Sequence, residues 1–293
     1  MNHGATARHA ADSTPIIEGV ERRRFGVAVW SSIIWIGLVS LAAVLAGVLP
    51  LYDPSDTRAG IPLSVPTSRN WLGTDELGRD LLSRTIYGAR VSLVVGLSAV
   101  LLSTVVGGML GLMAGFYRKR FESITLFFAD VLLAFPSLLL AVSIVAFSNS
   151  RGVATVVMAI ALLYLGPTVR IVRALTLSTA NREFVTAAEA LGATPRRIIF
   201  RELMPNVMPA LLSMAMVAVA GAMIAEGGLA YLNLSVAPPS PTWGAMMAAG
   251  KAKVDRSLYP VLVPAGAMFL TVLAITLIGD YIQGHQQRGG GAI

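Results

Sequence analysis

The chain has 293 residues, 55% hydrophobic and 13% charged, with 23 basic against 16 acidic side chains and a net charge of +7. That balance excludes an ordinary soluble domain and places the chain among polytopic membrane proteins; the positive charge reads as basic flanks of membrane spans, and no nucleic-acid partner is expected. There is no cysteine, and the three histidines, His3, His9 and His285, lie in polar tails, which leaves no disulfide, thiolate or membrane-embedded histidine chemistry.

In chain order, residues 1–24 read as a polar, disordered tail. A bilayer core about 30 Å thick takes about 20 apolar helical residues. Six stretches qualify: 25–49, 91–116, 124–147, 153–172, 206–232 and 260–282. The first is too long for the apolar core of a signal peptide. Arg22-Arg23-Arg24 and Arg118-Lys119-Arg120 directly flank spans, which puts both termini in the cytoplasm. Segments 50–90 and 233–259, the second with Pro238-Pro239-Ser240-Pro241, are then extracytoplasmic. The expected fold is all-α: six transmembrane helices, with a five-helix core over 91–282 and a cytoplasmic tail over 283–293.

In the second span, Ser103, Gly107, Gly111 and Gly115 form a stripe of small residues at four-residue spacing. It serves either packing within the chain or contact with another subunit. In the third span, Pro136 weakens helix continuity and is a candidate flexing point. Three acids fall within or at the ends of spans: Asp130, Glu226 and Asp280. At about 1.5 Å rise per residue, Asp130 lies about 10 Å in from the cytoplasmic side and Glu226 about 30 Å. That separation precludes a carboxylate dyad and an aspartyl protease. Asp280 reads as an interfacial helix-end acid. Asp130 lines a pathway, meets a neighbouring subunit or sits in an internal ion pair. Glu226 is open between a pathway or subunit-interface role, a hydrogen bond within the outer segment, and pairing with Arg90 or Arg256. Pro136 is grouped with Asp130 and Glu226 as a pathway or interface candidate.

Between the fourth and fifth spans lies a polar, Arg-rich interruption, NREFVTAAEALGATPRRIIFRELMP, residues 181–205. Asn181 can cap a helix over 182–191. Phe184, Val185, Ala188 and Leu191 then fall on one face. Gly192 suits a left-handed helix end. Thr194 and Pro195 read as the cap and first position of a second helix, which Pro205 stops before the fifth span. Such an apolar face is covered by a partner's groove or by the anionic membrane surface.

The spacing Thr186-Ala187-Ala188, Gly192, Met204-Pro205 resembles the coupling loop of bacterial ABC importer permeases. That pattern is Glu-Ala-Ala, three residues, Gly, nine residues, Ile-x-Leu-Pro. Here Thr186 stands for Glu, Glu202 falls at the Ile position and Met204 replaces Leu. The segments NWLGTDELGRDLLSRTIYGAR (70–90), DVLLAFPSLLL (130–140) and 226–244, which ends in PPSPTWG, resemble the dipeptide/oligopeptide/nickel family, C-type subunit; Leu277-Ile278-Gly279-Asp280 lies near its C-terminal motif.

The resemblance implies a type I ABC importer permease fold in the bacterial inner membrane, over a loop spanning 178–205. It implies a homologous second permease, two cytoplasmic ATPases carrying ATP and Mg, an extracytoplasmic binding protein and a di- or oligopeptide substrate, all amid membrane lipid. No cofactor is expected on this chain. Phe184, Thr186, Ala187, Ala188, Glu189, Leu191, Gly192, Pro195 and Pro205 would couple to the ATPase. Trp71, Asp75, Arg79, Asp80 and Trp243 would meet the binding protein. No phosphate-binding loop is present: 244–252 has five residues between its glycines where four are required, and Ala252 replaces Ser/Thr. A nickel importer is the near alternative, and a stand-alone secondary transporter the distant one, although no internal repeat is evident.

Overall fold

The computed structural model describes residues 25–289; the tail over 1–24 and the last four residues lie outside them. The described residues form nine helices: α1 Phe25–Leu45, α2 Leu81–Tyr117, α3 Lys119–Ala134, α4 Ser137–Ala146, α5 Val153–Ala180, α6 Glu183–Ala190, α7 Pro195–Tyr231, α8 Trp243–Lys251 and α9 Tyr259–Gly289. Within α7 the segment Ile198–Leu203 is wound as a π-helix. Among the described residues the only extended pairing is an isolated bridge between Thr74 and Asp80.

Five helices, α1, α2, α5, α7 and α9, are each long and apolar enough to cross a bilayer. The sixth crossing departs from the sequence expectation of one continuous span. It is the pair α3 and α4, bent by 87°. Proline supplies no N–H and drives the preceding residue out of helical geometry. Phe135 is accordingly extended (φ −81°, ψ 136°), so α3 ends at Ala134 and α4 restarts at Ser137.

The second span also begins ten residues before its expected start. Asp80 caps α2, its Oδ2 accepting from the Ser83 N–H at 2.7 Å. A helix of 37 residues is about 55 Å long and outruns the hydrocarbon, so its first turns stand clear of the membrane.

The centre of the bundle is the contact of α2 with α5, made by the small-residue stripe. A methyl group built on Gly111 would lie 2.7 Å from the Val169 carbonyl oxygen; one on Gly115 would lie 2.6 Å from Thr176 Cβ. The stripe therefore serves packing within the chain. α7 crosses α2 where Gly96 meets Met223. Val95, Ala99, Val156, Ile160, Ala222 and Met223 fill the shared core. α1 packs on α9 and α2, with Trp35 Nε1 donating to Thr271 Oγ1 at 3.1 Å.

The segment before α2 is ordered by its own polar groups. Asn70 Nδ2 donates to Asp80 Oδ1 at 2.9 Å. Asp75 accepts from the backbone N–H groups of Leu77 and Arg79 and from Arg79 Nε at 2.6 Å; Arg84 Nε stands 3.4 Å away. Gly73 and Gly78 sit at φ +82° and +78°, against backbone oxygens that leave no room for a Cβ. Removing one partner from a buried charge cluster costs about 3–5 kcal/mol. Asp75→Ala should therefore lower the melting temperature of the detergent-purified chain, with Asp75→Asn intermediate; an unchanged transition would refute the cluster's structural role.

Candidate coupling loop and membrane-embedded charges

The loop at one end of the bundle starts where α5 ends. Asn181 does not cap α6, contrary to the sequence expectation: its Oδ1 accepts from Arg118 Nη2 at 2.8 Å. Arg182 holds the cap position without a side-chain bond, and Glu183 in the first turn suits the positive end of the helix. At the far end Gly192 adopts φ +77°. The Gly192 N–H reaches Glu189 O at 2.9 Å, and the Ala193 N–H reaches Ala188 O at 3.0 Å. This is a glycine helix end, as its position predicts. Thr194 Oγ1 then accepts from the Arg197 N–H at 3.4 Å, with Pro195 in the first turn of α7.

Two expectations are corrected here. Pro205 does not stop the second helix, because α7 runs on to Tyr231. The π-wound turn absorbs the proline: the Met204 N–H bonds back to Ile199 O, five residues away, just where the ladder next lacks a donor. The apolar face of α6 is also not single. Val185 is buried in one cluster with Leu112, Val172, Ile198, Leu203 and Val207, and Ala188 is half-buried. Phe184 and Leu191 point outward, Leu191 88% exposed. Residues 184 and 185 are about 100° apart around a helix, so one stripe seats the loop and the other, Phe184, Ala187 and Leu191, is left bare. Thr186, Glu189, Pro195 and Pro205 are exposed as well.

The charged candidates part company. Asp130 is paired with Arg170 of α5, whose Nε lies 3.0 Å from Oδ1 and whose Nη2 reaches the same oxygen. One step toward the loop, Glu122 of α3 pairs with Arg173 of α5. Glu226 is 1% exposed, bonded by the Ser235 hydroxyl with Thr242 as a second hydroxyl partner. It thus takes hydrogen bonds from the outer segment, and among the described residues no arginine forms an ion pair with it. Asp280 is exposed at the end of its span.

At the opposite end of the bundle, Trp71 is 70% exposed and free to meet another molecule. Asp75, Arg79 and Asp80 are spent on internal bonds. Trp243 is corrected outright: it is 1% exposed, with Nε1 donating to Thr85 O at 2.9 Å and its ring against Gly88. An indole packs there because Gly88 offers no side chain. Arg170 is a partner that local pattern does not assign; its signal is an arginine lying inside the apolar run of the fourth span.

Residues 107–289 match the family described as binding-protein-dependent transport system inner membrane component. The chain is 41% identical over 249 residues to the di/tripeptide transport system permease protein DppC of Pseudomonas aeruginosa, covering 83% of this chain and 82% of that one. It is 37% identical to the glutathione transport system permease protein GsiD of Pectobacterium atrosepticum, covering 73% and 71%. It is 34% identical to the dipeptide transport system permease protein DppC of Alkalihalophilus pseudofirmus, covering 82% and 79%. Its fold is similar to that in the inward-facing MetNI methionine ABC transporter, with TM-score 0.58 at 15% identity over 68% of this chain and 94% of that one.

Proposed function

The chain belongs to the family of binding-protein-dependent transport system inner membrane components, and from that premise we propose that it is one permease subunit of an ATP-driven importer of di- or oligopeptides. The observation that carries the reading is the seated yet half-bare loop α6. Val185 ties it to α2, α5 and α7, while Phe184, Ala187 and Leu191 offer an apolar stripe to a partner. A short helix pressed into a groove of a cytoplasmic ATPase covers such a stripe. Because α7 is continuous from Pro195 to Tyr231, a push on the loop is carried along one helix through the membrane.

ATP and Mg belong to the ATPase subunits, and this chain performs no chemistry itself. A homologous second permease supplies the other half of the pathway, in a bacterial inner membrane with both termini cytoplasmic. The exposed Trp71 lies on the side from which a binding protein delivers its load. The peptide substrate is supported by the peptide names of the relatives; nickel or another small solute is the second reading on family grounds. The test is isolation of the tagged chain from its native membrane in mild detergent. A second permease and one or two ATPases should accompany it, and the reconstituted complex should accumulate dipeptide. Recovery of the chain alone, stable and monodisperse, would favour a self-contained transporter.

A further inference from the structure

We infer that the Asp130–Arg170 pair, one helical turn before the break between α3 and α4, is a water-facing charged site on the solute path. It takes the ammonium and the carboxylate of a short zwitterionic peptide. The inference rests on the peptide-importer reading above.

Depth comes first. Asp130 lies eleven residues into α3 from Lys119, and Arg170 lies ten residues before the end of α5 at Ala180. Both counts put the pair about 15 Å along its helices from their charged ends, which is about 10 Å inside a bilayer core about 30 Å thick. Exposure comes second. The two side chains are 51% and 53% exposed, against 19% and 29% for Glu122 and Arg173 nearer the helix ends. The deeper pair is the barer one. Charge at that depth does not face hydrocarbon; it faces protein or a water-filled cavity.

The adjoining backbone agrees. Residues 134–139, from Ala134 through the extended Phe135 to Leu139, are all exposed. Interrupted backbone at membrane depth is tolerated only inside protein or against water. Among the described residues no side chain caps the start of the ten-residue α4, which is its positive end.

The bonding leaves capacity for a ligand. Arg170 Nε and Nη2 both go to Asp130 Oδ1. Among the described residues, Oδ2 and Nη1 carry no hydrogen bond. One anionic and one cationic group side by side match a solute with charges of both signs, and their own pairing keeps the empty site neutral.

The experiment uses the complete complex in proteoliposomes, with dialanine as the probe. Asp130→Asn and Arg170→Gln should each slow accumulation about ten-fold, the scale of one charge-assisted hydrogen bond. ATP hydrolysis stimulated by the loaded binding protein should stay unchanged. The double variant Asp130→Asn/Arg170→Gln should remain slow. Its recovery, or a parallel loss of ATP hydrolysis, would show a purely structural pair and overturn the site. Full uptake by both single variants would overturn it too.

Because the chain has no cysteine, Ala134→Cys and Ser137→Cys give a second reading. Both should react with a charged thiol reagent faster than Leu101→Cys on α2, and saturating dialanine should protect them. Labelling no faster than at Leu101 would mean that lipid or the second permease covers the break, and would overturn the water-facing site. Failure of the wild-type complex to accumulate dialanine would instead remove the functional reading, and the site with it.

Discussion

Leucine at Gly111 should leave little folded protein. A Cβ there meets the Val169 carbonyl oxygen at 2.7 Å, Val172 Cβ at 2.8 Å and the Arg173 nitrogen at 3.0 Å. Two of those three atoms are backbone of α5, which no rotamer change can clear. Overpacking typically costs about 1–3 kcal/mol when side chains can yield, and more when two helices must part. α2 and α5 hold the centre of the bundle, so their separation also opens the core around Val95, Ala99, Val156 and Ile160. The check is size-exclusion chromatography of the detergent-extracted variant, with Gly37→Leu as control, since nothing lies within 4 Å of a Cβ on Gly37. Gly111→Leu should give an aggregated or absent peak and Gly37→Leu a normal one. A monodisperse Gly111→Leu at wild-type yield would refute the close packing.

Valine at Gly192 should leave the bundle intact and abolish uptake. The position has φ +77° and nothing within 4 Å of an added Cβ, so the whole cost is backbone strain. For a β-branched residue that is of order 1–3 kcal/mol, too little to unfold the chain. It is enough to shift the turn between α6 and α7, and with it the direction of Phe184 and Leu191. Membrane levels should match wild type, while dipeptide uptake and binding-protein-stimulated ATP hydrolysis fall together. Asparagine, which enters the left-handed region readily, should retain much of both. Normal uptake by Gly192→Val would remove the loop from the coupling path.

Much of this architecture is legible from hydropathy, because in hydrocarbon every backbone group is satisfied within its own helix, and an apolar run of adequate length has few alternatives. The five unbroken crossings and the turn at Gly192 follow from local chemistry in that way. Pro136 was legible as a weak point, though not as an 87° bend. How far the chain turns at a proline depends on what the two half-helices pack against, which no local pattern encodes.

The site residues divide along the same line. Asp75, Arg79 and Asp80 read as surface groups because polar residues in a loop ordinarily meet water; here they are the loop's own hydrogen-bond partners. Trp243 reads as an exposed anchor beside a proline run and is core, because Gly88, 155 positions earlier, leaves space for its ring.

Composition and local pattern suffice for the membrane class, the five unbroken crossings, the left-handed turn at Gly192 and the lack of any thiol or embedded histidine chemistry. Each follows from composition, from a single apolar run or from residues within one helical turn. Which charges pair, which small residues are contacts and which aromatic is buried emerge from the packing of the helices. Asp130 meets Arg170 and Gly111 meets Val169 across 40 and 58 positions of chain, and contacts between helices so distant in sequence are set by packing, which local pattern does not encode.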